Sequence, residues 1–385
     1  MIKAAYLCNI YLDKQRITMS EYTNENYIKD KIRAVDAKFE AQKIAFAPLA
    51  FQAVRALIEL NILKFISDSG EKGLTLCETA QKADVSHYGV KVLLEIALGM
   101  NIVKVLPADG EDHFVLGKVG LFLLDDEMTR VNFNFVNDVC YKGAFELKRS
   151  VEAGKPLGLE VFGYEGKTIY EVLSSLPENV KKSWFEFDHF YSDIGFEEAL
   201  PIVFSNKPKK IIDIGGNTAK WAVCCCRYDP EVEALIVDLP GQIAAAEKEI
   251  EKAGFSGRIK TFACNVLNEE TAIPQGADVI WMSQFLDCFS LEEVTRIMKK
   301  VRCAAGHSTD IYILEPFWDM QRFDAASYSL QATSLYFTCM ANGNSKMYNF
   351  KEFEKTIKSS GFDIVEARHN LGSNDYSLLR CRRNS

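Results

Sequence analysis

Apolar residues recur at helical spacing near the start of the chain. From about residue 20 to 65 they form a broad apolar face, as in AQKIAFAPLAFQAVRALIELNILKFI, and this predicts helix throughout the range. A helix with so wide an apolar face packs against a partner chain or against a second domain. We therefore expect this segment to form an interface.

Two short helices and a hairpin follow. Thr75 or Glu78 begins the first helix, a turn covers residues 84–86, and the second helix runs from about Tyr88 to Met100. The runs IVKVLP and HFVLG are expected to pair across PADGED, which completes a winged helix. This topology can enter a DNA major groove, but its second helix offers Lys91 and little other positive charge for phosphate contacts. The pattern favours a structural winged-helix module.

The middle of the chain, from about residue 130 to 205, is predicted to be helical and is rich in aromatic residues. Its main runs are NFNFVNDVCYKGAFELKRSVEAG and SWFEFDHFYSDIGFEEALPIVF. Aromatic side chains at this density stiffen a core, line an apolar pocket, or do both. Since segments between domains often form small-molecule sites, we expect this one to line an acceptor pocket.

From about Lys207 onward, apolar runs of strand length alternate with helical stretches. The predicted strands are IIDIGG, ALIVDLP, IKTFACNV, DVIWMSQFL and DIYILEPF. This alternation predicts a doubly wound parallel α/β sheet. The last helix is followed by the runs DIVEARHN and YSLLRCR, which predict an antiparallel last strand. The chain thus divides into residues 1–130, a helical linker 131–205, and an α/β domain 206–385.

Composition and charge narrow the class of protein. Hydrophobic residues make up 48% and charged residues 25% of the 385 positions, as in ordinary globular proteins. A net charge of -8 disfavours nucleic acid as the main partner. No apolar run approaches the roughly 20 residues of a membrane helix, and no clear signal peptide is present, so we expect a cytoplasmic protein without a membrane partner.

The eleven cysteines include the adjacent run Cys224, Cys225 and Cys226. Adjacent cysteines in a helical segment cannot all pair, and the sequence has no C-x-x-C pair to hold zinc. We expect free thiols that fill core space, and no metal site.

Polar residues and glycines at the predicted strand ends indicate a nucleoside site. Gly215 and Gly216 allow the backbone to turn close to a ligand, and Asp238 ends the second strand, where a carboxylate can accept both ribose hydroxyls. Asn265 ends the third strand, where an amide can bond an adenine edge. No full G-x-x-x-x-G-K-[ST] phosphate cradle or full dinucleotide glycine motif is present, since the G-K-T at residues 166–168 lacks the first glycine. A ligand with ribose and adenine but no phosphate fits best, and S-adenosylmethionine is such a ligand.

The chain resembles the S-adenosylmethionine-dependent small-molecule O-methyltransferases of plant phenolic and bacterial polyketide metabolism. The matching motifs are IIDIGG, IVDLPG, FSLEEVTRIMKKV, ILEP and SSGF, in the family's order over roughly residues 40 to 382. The resemblance implies a winged-helix dimerisation domain ahead of a Rossmann-like class I methyltransferase domain. It also implies a homodimer and methyl transfer to a hydroxyl of a small aromatic or polyketide-like molecule.

The resemblance further implies a set of cofactor-binding residues, namely Asp213, Gly215, Gly216, Asp238, Leu239, Asn265, Val266 and Ser283. In the family, Gly215 lies against the methionine part of the cofactor, Asp238 holds the ribose and Leu239 contacts the adenine. The positions of Asn265 and Val266 enclose the adenine, and that of Ser283 carries a polar or basic residue facing the cofactor's carboxylate. The glycine loop departs from the family's GGGxG, because residues 217–219 read Asn-Thr-Ala.

The catalytic motif also departs from the family pattern. Members read L-H-D-W with histidine as the general base, whereas Asp287 stands at the histidine's position here. Glu315 matches a carboxylate that flanks the histidine, and no acid stands at a second flanking position near residues 345–347. Burial raises the pKa of a carboxyl group and a neighbouring carboxylate raises it further, so a pair of acids that shares a proton is one hypothesis for the base. In the simpler interpretation, Asp287 is a structural carboxylate or marks the start of a helix.

A second candidate base is His189, because imidazole titrates near neutral pH. The resemblance places His189 with Phe187 and Tyr191 on a helix that lines the acceptor pocket, and in the simpler interpretation these side chains only shape an apolar cavity. Loss of the family histidine also permits carbon or nitrogen methylation, or cofactor-assisted chemistry without methylation. A further alternative is a non-enzymatic regulator that uses its winged helix.

Overall fold

The structure, a computed structural model, describes residues 25–108, 110–192 and 195–384, and these divide after Asn134 into two compact units. None of the helices in these ranges is both long and apolar enough to cross a membrane.

The first unit is a winged helix with additional helices before and after it. Its helices are α1 Glu25–Ile28, α2 Ala34–Ala45, α3 Ala47–Glu59, α4 Ile62–Asp68, α5 Leu76–Ala83, α6 His87–Gly99, α7 Lys118–Asp125 and α8 Glu127–Phe135. Its strands are β1 Leu74–Thr75, β2 Val103–Leu106 and β3 His113–Leu116, which form an antiparallel sheet in the order β1-β3-β2. The predicted hairpin is therefore confirmed.

Local sequence explains where these helices begin. The Thr75 hydroxyl accepts from the Glu78 N–H, while the Glu78 carboxylate accepts from the Thr75 N–H, so both predicted residues cap α5. The uninterrupted helix predicted over residues 20–65 is wrong. The chain breaks before Pro48, which suits the first turn of α3, and at Asn61, whose φ of +56° starts α4. Residues 20–24 lie outside the described ranges.

The second unit is built around a seven-stranded sheet in the order β6-β5-β4-β7-β8-β10-β9. The strands are β4 Lys210–Ile214, β5 Glu233–Asp238, β6 Ile259–Ala263, β7 Val279–Ser283, β8 Asp310–Glu315, β9 Phe362–Leu371 and β10 Tyr376–Arg383. The first five are parallel, and β10 inserts antiparallel between β8 and β9. Both the doubly wound sheet and the antiparallel last strand are confirmed.

The helices of this unit are α9 Leu147–Ala153, α10 Ile169–Val172, α11 Glu178–Ser192, α12 Phe196–Val203, α13 Lys220–Tyr228, α14 Pro240–Ala253, α15 Leu291–Ala304, α16 Asp324–Tyr336 and α17 Phe350–Ser359. Helices α12, α13 and α14 pack on one face of the sheet and α15 and α17 on the other, whereas α9, α10, α11 and α16 contribute to a separate cluster. On one face Trp221 stacks on Trp281 with 3.7 Å between ring centroids. Cys225 and Cys226 are free thiols buried in the same core, as predicted.

Residues 135–187 join α16 in a separate aromatic cluster. Phe135 stacks on Phe187 at 3.9 Å between centroids, and the Trp184 indole N–H donates to the Tyr336 hydroxyl at 2.7 Å. This cluster adjoins Cys288, directly after Asp287, so the aromatic segment packs beside the carboxyl edge of the sheet.

Candidate cofactor and acceptor site

The turn after β4 needs glycine at two positions. Gly215 has a φ of +78°, and a Cβ there would lie 2.2 Å from a ring carbon of Phe285. A Cβ on Gly216 would lie 2.8 Å from Oδ2 of Asp213. Two later residues of the turn also adopt positive φ, Asn217 at +45° and Ala219 at +66°. The turn therefore keeps a left-handed backbone without the family's remaining glycines.

Asp238 ends β5 and ties that strand to the glycine turn. Its Oδ2 accepts from the Asn217 N–H at 2.9 Å, and its Oδ1 accepts from the Leu239 N–H at 2.7 Å. Burial raises the pKa of Asp238, and the two backbone hydrogen bonds oppose that rise. Its side chain is half-buried, and each carboxylate oxygen has capacity for a further donor such as a hydroxyl.

The carboxyl edge of the sheet holds a cavity of about 70 Å³. Its lining includes the predicted residues Asp213, Gly215, Gly216, Ser283 and His189. The other predicted cofactor residues do not line it. Cofactor pockets span roughly 300–1,000 Å³, so side chains around this cavity must move when a cofactor enters.

The predicted adenine residues follow the neighbouring strand. Asn265 comes two residues after β6, is exposed, and accepts the Leu267 N–H at 2.9 Å through its own side chain. Val266 is buried, and Leu239 begins α14. These positions share the carboxyl edge of the sheet with Asp238, but they are not among the residues that line the cavity.

Orphaned polar atoms line the cavity. Within the described ranges, Asp213 Oδ2, Asn217 Oδ1 and Ser283 Oγ are buried without a hydrogen-bond partner. Burial, and secondarily the charge of Asp238, raises the pKa of Asp213 to about 8. Buried polar groups normally have partners, so these atoms fit a site that receives a polar ligand. Cationic and hydrogen-bonding groups of S-adenosylmethionine suit them.

His189 meets a lysine at this cavity. The Lys220 amine lies 2.8 Å from His189 Nδ1, and Asp188 Oδ2 lies 4.0 Å from the same nitrogen. A lysine ammonium can only donate, so Nδ1 accepts and the ring proton resides on Nε2. While this contact lasts, His189 has no ring nitrogen available as a base.

Asp287 and Glu315 come together at the ends of adjacent strands. Asp287 lies in a short turn after β7 and Glu315 ends β8, with side chains only 6% and 2% exposed. Glu315 Oε1 accepts the N–H groups of Phe285 at 3.1 Å and Leu286 at 2.9 Å. The two carboxyl groups are near enough for the charge of Asp287 to act on Glu315, and one oxygen of each residue is unpartnered within the described ranges.

Burial governs the protonation of this pair. It raises the pKa of Asp287 to about 6. It also raises the pKa of Glu315, and the neighbouring charge of Asp287 raises it further. The Cys288 thiol lies near both the Asp287 carboxyl group and the Tyr170 hydroxyl and packs against the aromatic cluster, so the cluster adjoins the carboxyl groups.

Several further polar residues at the carboxyl edge of the sheet were not predicted from the sequence. Gln284 Nε2 donates to the main-chain carbonyl of Tyr191 at 2.8 Å and to the Tyr376 hydroxyl at 2.5 Å. Gln284 directly follows Ser283, and Tyr376 opens the last strand, so their places at strand ends were readable. Lys220 directly follows the glycine turn. Nothing in the sequence indicates which partners these residues choose.

The sheet order, the glycine turn and the acid at the end of β5 together define a class I methyltransferase. The chain belongs to the O-methyltransferase domain family, which matches residues 146–363, more than half of its length. A Dimerisation2-like domain matches residues 38–114.

A relative and two solved structures that resemble the chain share between 14% and 22% sequence identity with it. The chain is 22% identical to the L-tyrosine C(3)-methyltransferase of Streptomyces lavendulae, over 83% of this chain and 85% of that protein. It shares its fold with the S-adenosylmethionine-dependent methyltransferase SibL in its apo form, with a TM-score of 0.67 and 20% identity over 89% of this chain and 98% of that one. It also shares its fold with human N-acetylserotonin methyltransferase in complex with SAM, with a TM-score of 0.62 and 14% sequence identity over 93% of this chain and 100% of that one. The chain is thus a methyltransferase.

Proposed function

We propose that the chain methylates a hydroxyl group of a small aromatic or polyketide-like acceptor and that Asp287 with Glu315 accepts the acceptor's proton. The observation that carries this proposal is the buried carboxyl pair beside an aromatic cluster. Flat apolar rings pack well against aromatic side chains. We include Phe187 and Tyr191 in the pocket lining, within the helical segment 131–205.

Removing the proton of the acceptor's hydroxyl group is the main chemical task of the protein. A phenol has a pKa of about 10 and is a poor nucleophile until it loses its proton. When bound, S-adenosylmethionine supplies a methyl group already activated by its sulfonium. An Asp287 with a pKa of about 6 is a stronger base than an exposed aspartate and is still largely ionised at neutral pH.

Glu315 positions this base. Its Oε1 is held by two backbone N–H groups, so the carboxyl group is fixed at the end of β8. Burial and the neighbouring charge of Asp287 raise the pKa of Glu315, so the two carboxyl groups disfavour being ionised together. We assign His189 to shaping the cavity, which it lines, and assign the base to Asp287 because of its burial and raised pKa.

The cofactor roles follow the family pattern. We assign Asp213, Gly215, Gly216 and Ser283 to the methionine side of the cofactor, since they line one cavity. Asp238 accepts the ribose hydroxyls, while Leu239, Asn265 and Val266 enclose the adenine. The protein acts as a homodimer through its first unit, whose Dimerisation2-like match supports that assembly.

Carbon methylation is the second candidate. It is favoured by the relative named an L-tyrosine C(3)-methyltransferase, which is matched over most of both chains. Removing the proton of a phenol also activates the neighbouring ring carbon, so the same carboxyl pair suits both reactions. The acceptor's orientation would then decide which atom receives the methyl group.

A panel of acceptors tests the proposal. Purified protein is incubated with S-adenosylmethionine carrying a ¹³C-labelled methyl group and with simple phenols, naphthols and tyrosine. A methyl carbon resonance typical of an aryl ether supports oxygen methylation, and one typical of an aryl methyl supports the carbon alternative. Products methylated only on nitrogen, or no product from any hydroxylated aromatic compound, would contradict both.

A further inference from the structure

Lys220 introduces a positive charge into an otherwise acidic cavity. It begins α13 directly after the glycine turn, and its amine lies 2.8 Å from His189 Nδ1. Asp188 and Asp213 line the same cavity, and among its lining residues in the described ranges Lys220 is the only lysine or arginine. Asp213 is 2% exposed and Oδ2 lacks a hydrogen-bond partner within those ranges.

The charges of the cavity match one end of the cofactor. The methionine part of S-adenosylmethionine carries an ammonium, a sulfonium and a carboxylate. The Asp188 carboxylate attracts the two cations but repels the cofactor's carboxylate, and Asp213, mostly protonated at neutral pH because of its raised pKa, adds little charge. Ser283 supplies only a neutral hydroxyl, which is buried and has no partner within the described residues. The carboxylate therefore needs a cation, and Lys220 is positioned in the cavity to provide one.

We propose that Lys220 binds the carboxylate of the cofactor's methionine part and exchanges its contact with His189 for that ion pair. The exchange opens the small cavity on the side of α11, which the cofactor needs for entry. It also frees Nδ1 of His189 only after the cofactor has bound. This inference rests on S-adenosylmethionine being the cofactor and does not depend on the identity of the acceptor.

A comparison of two ligands tests the proposal by calorimetry. Decarboxylated S-adenosylmethionine keeps the adenosyl group, the sulfonium and the ammonium and lacks only the carboxylate. We expect Lys220→Met to weaken binding of S-adenosylmethionine by about 10- to 100-fold, as expected for a hydrogen bond to a charged group. Binding of the decarboxylated ligand should change less than about twofold, because it never makes the contact.

Two further variants complete the design. Lys248→Met removes an exposed lysine of α14 and should leave both affinities unchanged. Lys220→Arg should restore most of the lost affinity, since the charge returns. Equal weakening of both ligands by Lys220→Met would assign the lysine a structural role and overturn the proposal, as would an unchanged affinity for S-adenosylmethionine. Binding that behaves as expected without methylation of any phenol would overturn only the proposed acceptor.

Discussion

Asp287 stands where related enzymes carry histidine, and its surroundings supply what the substitution removes. An exposed aspartate with a pKa of about 3.9 binds protons too weakly to serve a phenol well. Burial beside Glu315 raises the pKa of Asp287 to about 6, close to the pKa of an imidazole. This rise in pKa explains how a carboxyl group can take the place of a histidine at this site.

Replacing that carboxyl group tests its role. Asp287→Asn keeps the side chain's size but removes the base, so turnover should fall by about tenfold or more. In the wild type, kcat should rise with pH through about 6, as Asp287 ionises, and this rise should disappear in the variant. Glu292→Gln, an exposed carboxyl-to-amide change on α15, is the matched control. Normal turnover of Asp287→Asn together with a lowered rate for His189→Ala would transfer the role to the histidine.

Asp213, which lines the cofactor cavity, should make the stability of the folded protein depend on pH. Its pKa in the folded protein is about 8, above its unfolded value, so folding favours the protonated form. This stabilisation is fully present below about pH 4 and is lost as the pH rises through about 8. Without cofactor, the wild-type Tm should therefore fall more steeply between pH 5 and 8 than that of Asp213→Asn. Parallel Tm profiles in thermal unfolding scans would show that Asp213 is ionised throughout this range.

At the scale of elements, Gln284 provides one of several side-chain contacts that hold the last turns of α11 to the sheet. Gln284 joins the carbonyl of Tyr191, near the end of the helix, to the Tyr376 hydroxyl at the start of β10. The helix carries Phe187 and His189 toward the candidate site. A contact that fixes the last turn of α11 thus fixes the side chains proposed to meet the acceptor.

Loss of this contact should be visible by hydrogen exchange. Gln284→Ala leaves the Tyr191 carbonyl without its donor, so amide exchange over residues 186–192 should quicken by several-fold. The acceptor's KM should rise more than kcat falls, because positioning is lost while the base remains. Gln275→Ala, which removes an exposed side chain bonded to the Cys303 carbonyl, should change neither. Unchanged exchange in Gln284→Ala would mean that other contacts, such as that of Asn374 with the Phe190 carbonyl, hold α11 without Gln284.

The sequence predicts elements well where local patterns decide them. Thr75 and Glu78 mark the start of α5, and the alternation of strands and helices after Lys207 predicts the sheet with its antiparallel end. Contacts between distant residues are not readable in the same way. The 2.8 Å contact of Lys220 with His189 joins residues 31 positions apart. The sequence around Gln284 likewise does not indicate that this side chain bonds Tyr191 and Tyr376. The prediction of uninterrupted helix up to residue 65 was wrong at Asn61, because this residue adopts a left-handed conformation that hydrophobic periodicity does not reveal.

At the scale of the molecule, the first unit presents apolar side chains outward. None of the residues of α2 is buried, and Val35 and Ile44 on that helix are 68% and 75% exposed. Leu49, at the start of α3, is 69% exposed. Burying each such side chain is worth about 1.5–3 kcal/mol, so an apolar surface of this kind is stabilised by association. The match to a Dimerisation2-like domain, over residues 38–114, covers Ile44 and Leu49.

This surface predicts the state of the protein in solution. At micromolar concentration the wild type should sediment at twice the 43.4 kDa mass of one chain. Ile44→Arg places a charge where an apolar contact is expected, and burying an unpaired charge is costly, so this variant should shift toward monomer. Val365→Arg alters an exposed apolar residue of β9 in the second unit and should remain dimeric. A wild type that stays monomeric at these concentrations would contradict the homodimer, and a dimeric Ile44→Arg would place the interface away from α2.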